Sequence, residues 1–215
     1  MISIKILVFN PFAENTYILY DDTGECLIID PGCYTEEEEE NLKNVITNEG
    51  LTPVGLLNTH CHIDHVLGNA FVKNTYNLPL QILKDEEQTL EAVPSYAANY
   101  GFPNYQHLKA ELFLAPNQLI SFGNSSVLTL FVPGHSKGHV AFVNRTEKIC
   151  IGGDVLFDGS IGRTDLPGGD FEVLLNSIRE ELFSLEDDTV VYPGHGSTTT
   201  IGQEKETNPF CALSK

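Results

Sequence analysis

Thr59-His60-Cys61-His62-Ile63-Asp64-His65 gathers three of the chain's seven histidines and one carboxylate into six positions, a concentration that packing alone does not explain. Neutral imidazole and carboxylate are the usual protein ligands of zinc and similar first-row metals. His60, His62 and Asp64 recur at every second residue, so an extended backbone would point them to one side. Asp64 and His65 are neighbours whose side chains diverge, so the cluster can serve two cations lying close together. The preceding run, Val54-Gly55-Leu56-Leu57-Asn58, is short and apolar, as in a strand buried on both faces. Downstream, Val66 to Asn77 carries Val66, Ala70, Phe71 and Val72 in a pattern compatible with one helical face, with Asp64 as the expected N-cap. The cluster therefore falls where a strand gives way to a helix, the place at which open α/β sheets hold ligands.

The same arrangement recurs along the chain. Cys26 to Ile29 runs into Asp30-Pro31-Gly32, Val127 to Pro133 into Gly134-His135, Lys148 to Ile151 into Gly152-Gly153-Asp154, and Thr189 to Pro193 into Gly194-His195-Gly196. Each apolar segment ends at a histidine or aspartate with glycine beside it, and glycine permits sharp turns and close backbone approach. One Gly-His pair means little. Several ligand-bearing strand ends meeting at one sheet edge would assemble a site from distant parts of the sequence.

Five motifs then carry a resemblance: Thr59-His-Cys-His-Ile-Asp-His65, Pro133-Gly-His-Ser-Lys-Gly-His139, Gly153-Asp154, Gly162-Arg-Thr-Asp165 and Tyr192-Pro-Gly-His-Gly196. With them the chain resembles the metallo-β-lactamase-fold hydrolase superfamily, and within it the glyoxalase II-like (hydroxyacylglutathione hydrolase-like) branch. The resemblance implies an α/β four-layer αββα sandwich and one hydrolase domain over residues 1–215. It also implies a ligand assignment. One metal takes His60, His62 and His135, the other takes Asp64, His65 and His195, and Asp154 bridges both beside a shared water or hydroxide. Asp64 and Asp154 are the carboxylates expected at the reacting centre. Asp30 is expected behind the ligands, and His139 is expected to bond locally rather than to a metal. The metals are expected to be two divalent ions, zinc first, with iron or manganese as alternatives.

Composition narrows the function further. The formal net charge of −18 argues against a nucleic-acid footprint. Part of the acidic excess is the run Glu36 to Glu40, where Thr35 is an expected N-cap, Glu38 completes a capping box and Gly50 ends the helix. Five cysteines without a disulfide-like spacing, no signal-peptide pattern and no transmembrane run make a reducing cytoplasm the expected home, with no membrane partner. Cys61, between two histidines, is expected to point away from them and pack, as is Cys150. His107 matches no motif and is expected at the surface. Phe171 to Leu185 has helical spacing, with Phe171, Leu174, Leu175, Ile178 and Leu182 facing a core. Residues 85 to 123 are less regular and could cover a substrate. Arg163 and Asp165 are expected to tie two loops together rather than to hold a substrate carboxylate.

The resemblance implies thioester hydrolysis by a metal-bridging hydroxide, with a small S-acyl-glutathione-like substrate. A thiolate leaves as a weak base, which suits a chain showing no Ser-His-Asp triad pattern and no Gly-x-Ser-x-Gly elbow. The glyoxalase II type carries a C-terminal extension that supplies basic residues for glutathione. Here the sequence ends soon after Thr207-Asn-Pro-Phe210, so another thiol carrier is an open expectation. The alternative is a persulfide dioxygenase-like enzyme using one iron. Tyr192-Pro-Gly-His-Gly196 favours the hydrolase, because the dioxygenase branch departs from that pattern.

Overall fold

Short apolar strands ending in polar loops produce two sheets. The computed structural model describes residues 1–213. These fall into two compact units, one of residues 1–114 and 121–126, the other of residues 115–120 and 127 onward.

In the first unit six strands run in the order β1 (Ser3–Phe9), β2 (Glu14–Tyr20), β3 (Glu25–Ile29), β4 (Thr52–Leu57), β5 (Leu80–Leu83) and β6 (Leu112–Leu114). The first three pair antiparallel, and β3 through β6 pair parallel. Cys26, Leu27, Ile28 and Ile29 are all fully buried, as a parallel strand covered on both faces requires. Helix α1 (Glu36–Asn48) links β3 to β4 and starts at the capping box of Thr35 and Glu38, with Leu42 and Ile46 turned into the core. Because β3, β4 and β5 are parallel neighbours, their C-terminal ends share one sheet edge. Asp30, the 58–65 segment and Glu86 follow those three strands and so meet there.

The helix expected from Val66 to Asn77 is instead two pieces, α2 (Ile63–Val66) and α3 (Asn69–Tyr76). The N-cap of α2 is His62, and Asp64 lies in its first turn, so the every-second-residue geometry stops at His62. The break has a tertiary cause. Gly68 donates to the Pro31 carbonyl at 2.7 Å, and a Cβ there would come within 2.4 Å of the Cys33 sulfur. The chain must leave the helix to let two backbones touch. After β5 comes α4 (Glu87–Ala92), followed by short 3₁₀ turns through Tyr100, the less regular stretch.

The second sheet runs in the order β14 (Thr199–Thr200), β13 (Val190–Pro193), β10 (Ile149–Gly153), β9 (Val140–Asn144), β8 (Ser125–Phe131) and β7 (Leu119–Phe122), and a two-stranded hairpin pairs β11 (Leu156–Phe157) with β12 (Ser160–Ile161). β10 and β13 are parallel, and β8 runs the same way as β10 through antiparallel β9. The loops to His135, Asp154 and His195 therefore also leave one edge. The helix expected from Phe171 begins as α5 (Phe171–Asn176) and continues through a π turn, Ser177–Glu181, into a 3₁₀ turn, Leu182–Ser184. Leu174, Ile178 and Leu182 are buried, but Phe171 is exposed, against expectation, because it opens the helix at Asp170. Helix α6 (Ile201–Thr207) follows β14. Among the described residues no helix is long and apolar enough to cross a membrane.

Candidate metal centre

In the first unit Asp30 organises the loop after β4. Its own backbone is left-handed, at φ 51°, a conformation that aspartate tolerates better than most residues. One carboxylate oxygen accepts from the Thr59 amide at 2.7 Å and the Asn58 side chain at 3.3 Å. The other accepts from the Thr59 hydroxyl at 2.6 Å and faces His65 Nδ1 at 3.2 Å. The Thr59 oxygen, having given its proton to Asp30, lies 3.1 Å from His60 Nδ1 and can only accept there. Both imidazoles are thereby assigned the Nδ1–H tautomer, with the lone pair on Nε2. Asn58 adds a bond to the His65 carbonyl at 2.8 Å, and Glu86, at the end of β5, accepts from the Cys61 amide at 2.8 Å. Asp30, Asn58, Thr59, His60, His65 and Glu86 are all buried.

Around this frame the His60 ring lies 4.8 Å from that of His62 and 4.2 Å from that of His65. His65 Nε2 stands 3.7 Å from Asp64 Oδ2. Asp30, His60 and His65 each offer a donor atom within 4.8 Å of the others, although Asp30 has both oxygens engaged as described. Glu14, at the start of β2, is buried with one oxygen accepting from Thr16 at 3.0 Å and the other 3.9 Å from His65 Nδ1. Burial pushes its carboxyl well above the ordinary range, the nearby His65 opposes this, and the charges of Asp30 and Asp64 add to it. Burial likewise pushes the Cys61 thiol far up, so Cys61 packs as a neutral side chain, pointing into the core.

In the second unit His135 Nδ1 donates to the Arg163 carbonyl at 2.8 Å, which again puts the lone pair on Nε2. Asp154 Oδ2 stands 3.6 Å from His135 Nε2 and 3.5 Å from His195 Nε2. These gaps exceed the usual hydrogen-bond length. They match the roughly 3.4 Å between two donors that each sit about 2.1 Å from one tetrahedral cation. The 3.7 Å between His65 and Asp64 agrees with the same geometry. His139 differs: its Nε2 accepts from the Asp154 amide at 3.1 Å, so it steadies the backbone of Asp154. The donor chemistry and spacing of each cluster thus fit a divalent cation.

The Gly162-Arg163 segment buttresses this cluster. A Cβ on Gly162 would fall 1.9 Å from the Asp154 carbonyl oxygen and 3.1 Å from His135 Nδ1. Gly162→Ala is therefore expected to displace both Asp154 and His135, lowering activity at least tenfold and bound metal below the wild-type ratio, checked by turnover and elemental analysis on protein of unchanged circular dichroism. The Arg163 side chain forms two bonds to Asp165 at 2.7 and 2.8 Å. Both residues are exposed, and the pair closes one loop on itself, not two loops together as expected. His107 is half-buried beside Glu91 at 3.5 Å, not at the open surface.

Sequence reasoning gave no role to Glu14, Asn58, Thr59, Glu86 or the Arg163 carbonyl. Glu14-Asn15-Thr16 did carry a signal, since a polar run opening a strand is out of place unless its partners are buried with it.

The sequence profile described as the Metallo-beta-lactamase superfamily matches residues 9–195. The hydroxyacylglutathione hydrolase GloC of Haemophilus influenzae is 38% identical over 210 residues, 97% of this chain and 97% of that protein. The crystal structure of the BLEG-1 B3 metallo-beta-lactamase superposes with a TM-score of 0.89 at 36% identity, covering 98% of this chain and all (100%) of the other. The crystal structure of TTHA1623 in a di-iron-bound form gives 0.84 at 36% identity, covering 96% and 99%.

Proposed function

Since the chain belongs to the metallo-beta-lactamase superfamily, has its α/β fold and is a metallo-hydrolase of that superfamily, we propose that it hydrolyses small thioesters of the S-acyl-glutathione kind. In this reading residues 1–215 work as one domain. His60, His62 and His135 hold one divalent cation, Asp64, His65 and His195 hold a second, and Asp154 belongs to both. When bound, such cations lower the pKa of a water from about 15.7 to about 7 and polarise a carbonyl. The chain's own residues do the positioning. Asp30, Thr59 and the Arg163 carbonyl fix three imidazoles in the tautomer that presents Nε2. The Asp30 carboxylate, 3.2 Å from His65 Nδ1, orients that ring from behind. A thiolate leaving group needs no protonated partner, which suits a site built of imidazoles and carboxylates.

The observation that carries the reading is the pairing of Asp154 Oδ2 with two histidine Nε2 atoms at 3.5 and 3.6 Å. Likeness to a hydroxyacylglutathione hydrolase supports the thioester. The donor set suits zinc, iron and manganese alike, with zinc the working assignment. All five cysteines are buried free thiols, in keeping with a reducing cytoplasm. The test is thiol release from S-lactoylglutathione by metal-loaded protein. Release well above the metal-only blank is expected. Absence of release, or faster opening of nitrocefin than of any thioester, overturns the substrate assignment.

A further inference from the structure

A hairpin of two very short strands does not hold its own shape, because such a pair is marginal in water. The hairpin of β11 and β12 is nevertheless the piece of chain on which the second unit's site residues converge. Asp154 leads into it and Gly162-Arg163 leads out. Its base is closed by the Gly162 amide, which donates to the Val155 carbonyl at 3.1 Å. Just beyond that base the Arg163 carbonyl accepts from His135 Nδ1 at 2.8 Å. On the hairpin itself the Phe157 ring lies 6.5 Å from the His195 ring, tilted by 53°, within the range of a packed aromatic pair. His135, Asp154 and His195 therefore each depend on where this hairpin sits. Leu156 is buried at its base, but Asp158 and Gly159 at its tip are exposed, so the core does not fix the tip.

Helix α6 supplies what the core does not. Three consecutive hairpin residues are bonded to it or to the residue that caps it. Gln203 Nε2 donates to Asp158 Oδ1 at 2.7 Å, Glu204 Oε2 accepts from the Gly159 amide at 3.1 Å, and Asn208 Nδ2 donates to the Ser160 carbonyl at 3.0 Å. Glu204 is the centre of this arrangement. It is 0% exposed, and its carboxylate also accepts from the Thr199 hydroxyl at 2.5 Å and from Asn208 Nδ2 at 2.6 Å. A buried carboxylate is costly unless its oxygens are filled. Here β14, the hairpin tip and the end of α6 fill them together. Holding α6 to its own unit does not require this, because Lys205 on the same helix pairs with Asp187 at 2.7 Å.

We propose that Glu204 is a positioning residue for the metal centre: through the Gly159 amide it holds the β11–β12 hairpin, and the hairpin in turn sets Asp154, the Arg163 carbonyl behind His135, and the ring against His195. The proposal rests on the ligand assignment of His135, Asp154 and His195 given above. Glu204 touches neither cation nor substrate. It acts by keeping the donors at the spacing a cation requires, so that binding does not have to order them.

The test reads metal binding without substrate, so it does not depend on the thioester. Zinc-loaded protein is titrated with a chelating dye to obtain its zinc affinity, and cobalt(II)-loaded protein is followed by its visible absorption, whose bands report ligand geometry. Glu204→Ala is expected to weaken zinc binding about tenfold and to change the cobalt spectrum. Glu204→Gln is expected to restore both, since its side-chain oxygen can take the Gly159 and Asn208 donors while its NH2 group faces the Thr199 oxygen. Phe157→Leu is expected to weaken zinc binding as well, and the double variant by less than the product of the two single effects, as for residues on one route. Lys205→Ala removes the other anchor of the same helix and is expected to lower the melting temperature while leaving both metal readouts alone. Should Glu204→Ala fail to fold, Glu204→Asp decides: it fills most of the same space, its shorter side chain cannot span Thr199 and Gly159, and the same loss is expected. A folded Glu204→Ala or Glu204→Asp with the wild-type zinc affinity and cobalt spectrum overturns the clamp and leaves the ligand assignment standing. Equal metal losses in Glu204→Ala and Lys205→Ala also overturn it, because α6 would then matter only as part of the fold. A wild-type protein that binds neither zinc nor cobalt(II) overturns the ligand assignment and the clamp together.

Discussion

Asp154→Asn is expected to reduce thioester turnover by at least 100-fold, about 2.7 kcal/mol of transition-state stabilisation. Asparagine keeps the shape but not the charge, and its amide nitrogen cannot act as a donor to a cation. The Asp154 amide bond to His139 does not involve the side chain, so the backbone there is retained. The variant should therefore melt within a few degrees of the wild type while holding less metal. His62→Ala is expected to match it in turnover. Near-normal turnover by either protein, confirmed as folded by circular dichroism, would refute the ligand assignment.

Asp30→Ala is the second large effect, and it combines two losses. Its carboxylate accepts from the Thr59 amide and hydroxyl and from Asn58, all buried. Leaving buried donors without an acceptor costs roughly 1–3 kcal/mol each, so a loss of about 3 kcal/mol in urea-denaturation stability is expected. The orientation of His60 and His65 is lost with it, and removal of such supporting groups lowers metal affinity or activity about 10- to 100-fold. Asp30→Asn separates the two. It can still accept from the Thr59 amide and Asn58, but its NH2 group turns toward the Thr59 oxygen and competes with His60 for it. Most of the stability should return and little of the activity. Full activity in Asp30→Asn would show that tautomer control at His60 is immaterial.

The parts of the fold readable from sequence were those set by local pattern. The strands before Asp30 and Asp154 announced themselves as apolar runs, because a strand covered on both faces has no room for alternation, and the apolar runs before His60, His135 and His195 were legible although those strands are only partly buried. The capping box at Thr35 and Glu38 is equally local, and it formed as read. What escaped was decided by distant contact. Helix α2 stops because Gly68 must touch Pro31, and nothing between residues 63 and 77 encodes that. The helix from Phe171 leaves α geometry at Ser177, whose hydroxyl donates to the Pro133 carbonyl at 2.6 Å just before Gly134 and His135. Such π turns often mark functional positions, yet their sequence signature is slight. The partners of Glu14 and Glu86 were not legible for a related reason. Each glutamate reaches the 58–65 loop from near a strand end whose neighbour in space is far away in the chain.

The packing of the cysteines has a practical outcome for the bench. Cys26, Cys33, Cys61, Cys150 and Cys211 are all 0% exposed, and burial raises every one of their thiols, those of Cys26, Cys150 and Cys211 to about 12. The native enzyme should be silent toward a disulfide dye such as Ellman's reagent. Colour in a coupled assay then reports product alone, and a slow upward drift in the no-substrate control becomes a built-in alarm for protein that is coming apart.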